Sequence, residues 1–310
     1  MTVRLVVRQG EPGTVQGVLS HHGIVASAVA EGRVFLGTKR VDDPSLAVKA
    51  GDELSVETAR EASAEVRVLA ERRDLYAVSK PPGLPTEPDR SGTSSVVHSL
   101  ARLLKLPPEV LHAATRLDAQ VSGIALIARG SDAARLAARL KTEGKLGRRY
   151  IALAASAAEP ANGVWDAPIA QGSRRARGGP DAAREATSRY AVVAQARPLP
   201  AARTPALFVV EPITGRLHQI RLHAAGAGAP LLGDVKYGGP RRLVLSDGRA
   251  LTVPRVALHA ARIRAEFDGE PPWTVSLAMP DDLTTLWAAL GGEPAAVDRA
   301  LALPPLAGRS

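Results

Sequence analysis

The sequence predicts an α+β protein of two domains, and three observations carry that expectation. At 310 residues the chain exceeds one average domain and suits two. ETAREASAE, over 57–65, is polar, small and without periodicity, as a linker is. From Val66 onward, strand-like and helix-like pieces alternate. The resulting division is a small module at 1–60, a main domain at 66–285 and a C-terminal tail at 286–310.

In the small module, 15–30 is weakly helical with a break near Gly23. GRVFLGTKRV alternates like a short strand, Asp42-Asp43-Pro44 supplies a turn, and Ala50-Gly51-Asp52 makes another before a strand at 53–56. In the main domain, Leu75–Ser79 reads as a strand ending in the rigid turn Lys80-Pro81-Pro82-Gly83. Ser122–Arg129 is a buried strand, and Ser131 caps a helix through Leu140, with Ala133, Leu136, Ala137 and Leu140 at helical spacing. Gly144 stops that helix before a strand at 148–154. Further strands are expected at 191–194, 207–210, 257–264 and 274–277. Between them, GSRRARGGPDAAR (172–184) carries Arg174, Arg175, Arg177 and Arg184 among glycines, a basic loop suited to phosphate contact or to simple solvation. From about Gly291 the chain turns Ala/Pro-rich, which predicts a loosely packed tail.

Composition narrows the class. With no cysteine, disulfides and thiolate metal sites are excluded. No apolar run has the length of a signal peptide or a membrane span, so a soluble, cytoplasmic protein is expected. The net charge of +9 favours a polyanionic partner. Residues 1–60 hold seven bases and seven acids, so the excess, 33 bases against 24 acids, belongs to the remainder.

Two segments concentrate chemistry. TRLDAQVSGIALIARG (115–130) sets a carboxylate, Asp118, at the mouth of a strand, where it could be a nucleophile, a base, a metal ligand or half of a salt bridge. ITGRLHQIRLHAAGAGAPLLGDVKYGG (213–239) packs Arg216, His218, Gln219, Arg221 and His223 into eight positions. Read as a strand, it places Gln219, Arg221 and His223 on one face. His218 and His223 lack a third ligand at matching spacing, so no metal is expected.

These segments resemble those of the RluA-type pseudouridine synthases. The likeness rests on Arg116-Leu117-Asp118 with Ser122-Gly123, on Tyr150-Ile151-Ala152, and on the run from Gly215 to His223. Lys80-Pro81-Pro82-Gly83, Gly233-Asp234 with Tyr237-Gly238, and Leu258-His259-Ala260 add to it. The resemblance spans roughly 66–285. It implies a pseudouridine synthase fold, a mixed and mostly antiparallel sheet with flanking helices and a central cleft. It also implies an enzyme that isomerises uridine in ribosomal or transfer RNA without a cofactor; a monomer is expected only by default. By the same resemblance Asp118 is the nucleophile, and Arg221 is the cation that pairs with it and favours its ionised form. Tyr150 stacks on the target base. Arg116 fills the space left by the flipped uridine, and Leu222 packs beneath the base. His218 and Gln219 are expected to support the segment, and Arg174, Arg175 and Arg177 to touch phosphate. Upstream, the pattern from Gly32 to Val56 resembles an alpha-L RNA-binding module, although SHHGIVASAVAEG lacks the arginines such modules show to RNA.

Two positions depart from the family pattern. Thr115 stands where histidine is usual and Val121 where threonine is usual. They leave room for a competing reading, a catalytically weak RNA-binding or ribosome-assembly factor on the same fold. A glycoside or nucleoside hydrolase is a third reading. It needs a second carboxylate, and the matched motifs offer only Asp234, which reads as a turn residue.

Overall fold

The structure is a computed structural model that describes residues 2–22, 24, 27–30, 34–37, 39–41, 43–57, 65–88, 94–170, 183–200 and 203–307. The chain divides into two compact units, Met1–Ser63 and Ala64–Ser310.

In the first unit, β1 (Thr2–Val6), α1 (Val15–His21), α2 (Ser27–Ala30), β2 (Val34–Leu36), β3 (Lys39–Arg40) and β4 (Glu53–Glu57) follow in order. The strands pair antiparallel as β1-β4-β2-β3. Thr14 starts α1, its hydroxyl accepting the Gly17 N–H at 3.2 Å. Val15, Val18 and Leu19 from α1 pack with Val34, Leu54 and Val56 from the sheet. Gly23 and Asp42, expected to break the helical stretch and to open a turn, lie outside the described residues.

The second unit runs β5 (Arg67–Arg72), β6 (Leu75–Lys80), α3 (Val96–Leu104), β7 (Leu111–Ala113), β8 (Ser122–Arg129), α4 (Gly130–Thr142), β9 (Leu146–Ala154), β10 (Asn162–Trp165), β11 (Ser188–Gln195) and β12 (Ala206–Pro212). It continues through α5 (Gln219–Gly226), β13 (Arg242–Val244), β14 (Ala250–Thr252), β15 (Leu258–Ala265), β16 (Trp273–Ser276), α6 (Asp281–Ala289) and α7 (Ala295–Ala302). Among the described residues, one ten-stranded sheet follows the order β10-β11-β12-β9-β15-β8-β6-β5, with β16 on β15 and β7 on β8. Its pairs are antiparallel except β15 with β8, which is parallel.

The two-residue period of a strand sorts side chains between the faces. Along β9, Tyr150, Ala152 and Ala154 join one core with Val78, Ile127, Phe208, Val210 and Leu258, while Ile151, Leu153 and Ala155 join another with Leu207, Val209 and Trp287. The parallel junction of β8 and β15 sits in the middle and depends on Gly123. Its φ is +124°, and a Cβ there would lie 2.3 Å from the Ala260 carbonyl oxygen, so only glycine allows the approach. Beside it, Ser122 Oγ lies 3.0 Å from His259 Nδ1. The other ring nitrogen, 3.3 Å from the Leu277 carbonyl, must carry the proton and donate, which leaves Nδ1 to accept from Ser122. Burial pushes the His259 pKa down to about 4, the carbonyl of Leu277 opposing and Arg255 reinforcing that shift. The Ser-Gly and Leu-His-Ala motifs thus lock one crossing.

Three expectations need correction. The 213–223 segment is not a strand, since α5 begins at Gln219 after His218, which has φ +56°. Its buried positions, Gln219, Ile220, Arg221, His223 and Ala224, mix polar and apolar residues and so leave no apolar stripe to mark a helix. Helix α4 starts at Gly130 and takes no side-chain cap from Ser131. The stretch from about Gly291, described as far as residue 307, is not loosely packed. Trp287, Leu290, Ala296 and Ala300 are buried in the core of the sheet's second face, and Arg149 donates to the carbonyls of Leu303 and Pro304.

Candidate active site

Asp118 lies in the loop between β7 and β8, and that loop is fixed at nearly every residue. Ala114 and Thr115 donate their N–H groups to the Leu126 carbonyl. Thr86 Oγ1 accepts from the Leu117 N–H and donates to the Leu117 carbonyl, both at 3.0 Å. Val121 N–H closes a turn on the Asp118 carbonyl at 3.0 Å. Beneath the turn, Lys80 is 2 % exposed and gives its three N–H groups to the carbonyls of Pro81, Leu84 and Ala119 at 3.0, 2.7 and 2.9 Å. Burial pushes the Lys80 pKa down to about 7; Asp118 opposes that shift and Arg255 adds to it. The Lys-Pro-Pro-Gly turn therefore holds up the Asp118 loop, a role that its proline-rich appearance concealed.

Helix α5 brings the cation. Arg221 Nη1 donates to Asp118 Oδ2 at 2.8 Å, while Nε and Nη2 form a fork on Asp234, both at 2.7 Å. Burial works against the charge on Arg221, but the hydrogen bonds of Asp234 and Asp118 outweigh it and raise its pKa. The Tyr237 ring lies 5.0 Å from the guanidinium. Tyr237 also bonds His218 Nδ1 at 2.7 Å, and the other ring nitrogen of His218 stands 3.7 Å from Asp118 Oδ2. Burial lowers the His218 pKa, and Asp118 opposes it. Asp234 is thus more than a turn residue: it is 1 % exposed and orients the arginine from behind.

Asp118, Arg221 and Tyr150 line one cavity of about 180 Å3. Tyr150 rises from β9 as part of its wall. Burial raises the phenol's pKa, Arg148 opposing and Asp118 adding to the shift. Val121, Ile220 and Leu258 give the cavity an apolar side, and Arg116, Lys141, Arg148 and Arg216 a basic one. A flat aromatic wall, an apolar side and a partly exposed carboxylate held by a cation suit a planar base joined to a sugar.

Comparison with known proteins decides what this arrangement belongs to. A family model described as RNA pseudouridylate synthase matches residues 74–226. An uncharacterized RNA pseudouridine synthase of Zymomonas mobilis is 29% identical over 228 residues, 71% of this chain and 96% of the relative. The dual-specificity RNA pseudouridine synthase RluA of Salmonella typhi is 30% identical over 198 residues, 62% of this chain and 83% of its own. The chain belongs to the RluA-type pseudouridine synthases. It is accordingly an isomerase that acts on RNA. The solved human RNA pseudouridylate synthase domain containing 1 shares the fold, with a TM-score of 0.57 at 21% identity over 81% of this chain and 100% of that one.

Against the family pattern, the structure accounts for the two departures differently. Thr115 is 2 % exposed, and its hydroxyl accepts the Leu126 N–H at 2.9 Å, so it serves the loop's base and does not line the cavity. Val121 does line it, where a threonine would present a hydroxyl to the ligand. Gln219 uses its whole amide. Its oxygen accepts from Thr214 Oγ1 and the Arg216 N–H, and its nitrogen donates to Thr187 and Ser188.

Of the remaining expected site residues, Arg116 stands at the cavity mouth, its side chain 72% exposed and 3.1 Å from Glu87. Leu222 does not line the cavity; Ile220 and Leu258 supply the apolar surface expected of it. Arg174, Arg175 and Arg177 lie outside the described residues. His218 and His223 turn to different partners, His223 to Ser188 and the Ala167 carbonyl. Among the described residues, the only group of metal-ligating side chains close enough to share an ion is Glu11, His21 and His22, in the first unit. No helix among the described residues is long and apolar enough to cross a membrane.

Proposed function

We propose that this pseudouridine synthase isomerises specific uridines in ribosomal or transfer RNA, with Asp118 as its nucleophile. The observation that carries the reading is the hydrogen bond from Arg221 to Asp118 inside the cavity walled by Tyr150. With Oδ2 held by Arg221, Oδ1 takes no hydrogen bond from any described residue, and one carboxylate oxygen stays available for the sugar carbon. The bond from that carbon to N1 of uracil breaks, the base turns, and a bond to C5 forms. N1 gains a proton, C5 loses one, and the composition of the RNA is unchanged, so the chemistry needs no cofactor. Tyr150 stacks on the base, and Arg116, exposed at the mouth, fills the stack from which the uridine was taken.

A hydrolase is disfavoured because Asp234, the second carboxylate, is buried and committed to Arg221, with no room to act as acid or base on a water. The first unit is read as an alpha-L-like RNA-binding module of weak grip, given its balanced charge, and the enzyme as a monomer.

The test is pseudouridine mapping of ribosomal and transfer RNA from cells with and without the gene. A uridine whose signal disappears on deletion, and returns with the wild type but not with Asp118→Ala, supports the assignment and names the substrate. A signal restored by Asp118→Ala removes Asp118 from the role. No changed site in either RNA class would favour the RNA-binding or assembly reading.

A further inference from the structure

Arg148 stands between two hollows. It projects from the same face of β9 as Tyr150, two residues away. It lines both the catalytic cavity and a groove of about 290 Å3 at the end of the sheet. Lys141, in the last turn of α4, and Pro212 also belong to both. The groove adds Arg149, Arg189, Arg262 and Arg264, against Glu211 as its one acid.

Most of these cations already have partners. Arg149, Arg189 and Arg262 hold carbonyls of the C-terminal segment, and Arg264 pairs with Glu266. The two residues at the rim of the cavity differ. Arg148 gives Nη2 to the carbonyls of Pro212 and Thr214 at 3.3 and 2.9 Å, and its Nε is buried with no hydrogen-bond partner among the described residues. Among the described residues, Lys141 reaches only the Ala114 carbonyl, at 2.8 Å. Burial lowers its pKa, and Arg148 lowers it further. Four residues on, Lys145 shows the contrast, paired with Glu143 at 2.9 Å and Asp268 at 2.7 Å. Among the described residues, these two adjacent cations, where the catalytic cavity meets the groove, have no carboxylate partner, and a ligand can bring the anion.

We propose that Arg148 and Lys141 form a phosphate subsite for the nucleotide next to the flipped uridine, so that one flank of the RNA leaves the cavity along this groove. The inference rests on Tyr150 and Asp118 marking the base site. An arginine fork and a lysine ammonium at the rim grip the backbone without reading its sequence. They fix where the strand turns as the base is drawn inward.

The test measures binding, which does not depend on Asp118. The full-length wild type, Arg148→Ala, Lys141→Ala and Arg264→Ala are titrated with labelled oligouridylate and with unmodified transfer RNA over a series of salt concentrations. Loss of either rim cation is expected to weaken binding about tenfold and to reduce the slope of log affinity against log salt by about one. Arg264→Ala, which loses a cation already neutralised, should leave the slope unchanged. In steady-state assays on an RNA containing a mapped site, KM rises and kcat holds. Arg148→Lys should recover most of the slope, a rescue that a packing role would not give. An unchanged slope in Arg148→Ala and Lys141→Ala, with both variants folded, overturns the subsite. An equal slope loss in Arg264→Ala overturns it too, because the groove would then act as diffuse charge. If Asp118→Asn keeps full activity while the slopes fall as stated, the base-site reading fails and the phosphate contact stands.

Discussion

Arg221 and Arg149 are both buried arginines forked onto a carboxylate, and they dispose of their remaining donors in opposite ways. Arg149, 3 % exposed, gives Nε and Nη2 to Glu211 at 2.9 and 2.6 Å and the rest of its donors to carbonyls of the C-terminal segment. Every partner is protein, and the result is a tail tied across the sheet. Arg221 gives Nε and Nη2 to Asp234 and Nη1 to Asp118, whose side chain is 23% exposed and lines a cavity. A buried carboxylate at the back lets the guanidinium remain charged inside the protein, and a second at the front receives its orientation. Burial and pairing alone do not separate a structural arginine from one serving a reaction. The partner of Nη1 does: a backbone carbonyl for Arg149, Asp118 for Arg221.

That contrast can be broken most directly at Asp118. Asp118→Asn keeps the shape and removes the carboxylate proposed as nucleophile, so isomerisation should fall by at least about 10^3-fold while thermal melting and RNA binding hold. Retention of activity within tenfold would place the chemistry elsewhere. At the structural arginine the loss moves to stability. Arg149→Met leaves Glu211 unpaired and should cost about 3–5 kcal/mol in urea unfolding, with kcat of the folded fraction unchanged. Asp234→Asn tests the support behind Arg221. One charge-assisted contact, worth about 1.5–3 kcal/mol, should lower activity roughly ten- to hundredfold without altering which uridine is modified.

A smaller test uses pH. His259 is neutral in the folded protein because its pKa is pushed down to about 4, from an ordinary 6.5. Its contribution is present in full above pH 6.5. It is lost as pH falls toward 4, because the unfolded chain takes up a proton that the folded one refuses. The integrated effect is on the order of 3 kcal/mol. His259→Asn should flatten unfolding free energy against pH across that window, and an unflattened curve would assign the acid sensitivity to other groups. The smallest effect is expected at Val121→Thr, which adds a hydroxyl to the cavity wall: turnover should change by a few-fold at most, the scale of a single methyl–hydroxyl exchange.

Much of the main sheet was legible because its strands carry continuous apolar runs bounded by turns; Ser122–Arg129 has the bounds expected of it. Asp118, Tyr150 and Arg221 could be named from motif and order, though not the distances that join them. The supporting roles of Lys80 and Asp234 were not legible, because a lysine before two prolines and an aspartate after a glycine look like turn residues. Their burial is a property of distant partners, Ala119 for one and Arg221 for the other. The tail misled for a related reason. Its alanines and prolines carry little apolar area, and what holds it is Trp287 and the hydrogen bonds of Arg149, contributed from 151 to 155 positions away.

The separations within the site carry a consequence for biosynthesis. Asp118 meets Arg221 across 103 positions, and the Ser122–His259 lock at the sheet's centre spans 137. Contacts of that range close late and slowly. As the ribosome extends this chain, the carboxylate emerges long before its guanidinium, and the strand that seals the sheet beside β8 comes later still. A partly translated chain therefore holds Asp118 without the cavity around it. The cavity around Asp118 closes only after the residues through β15 have emerged.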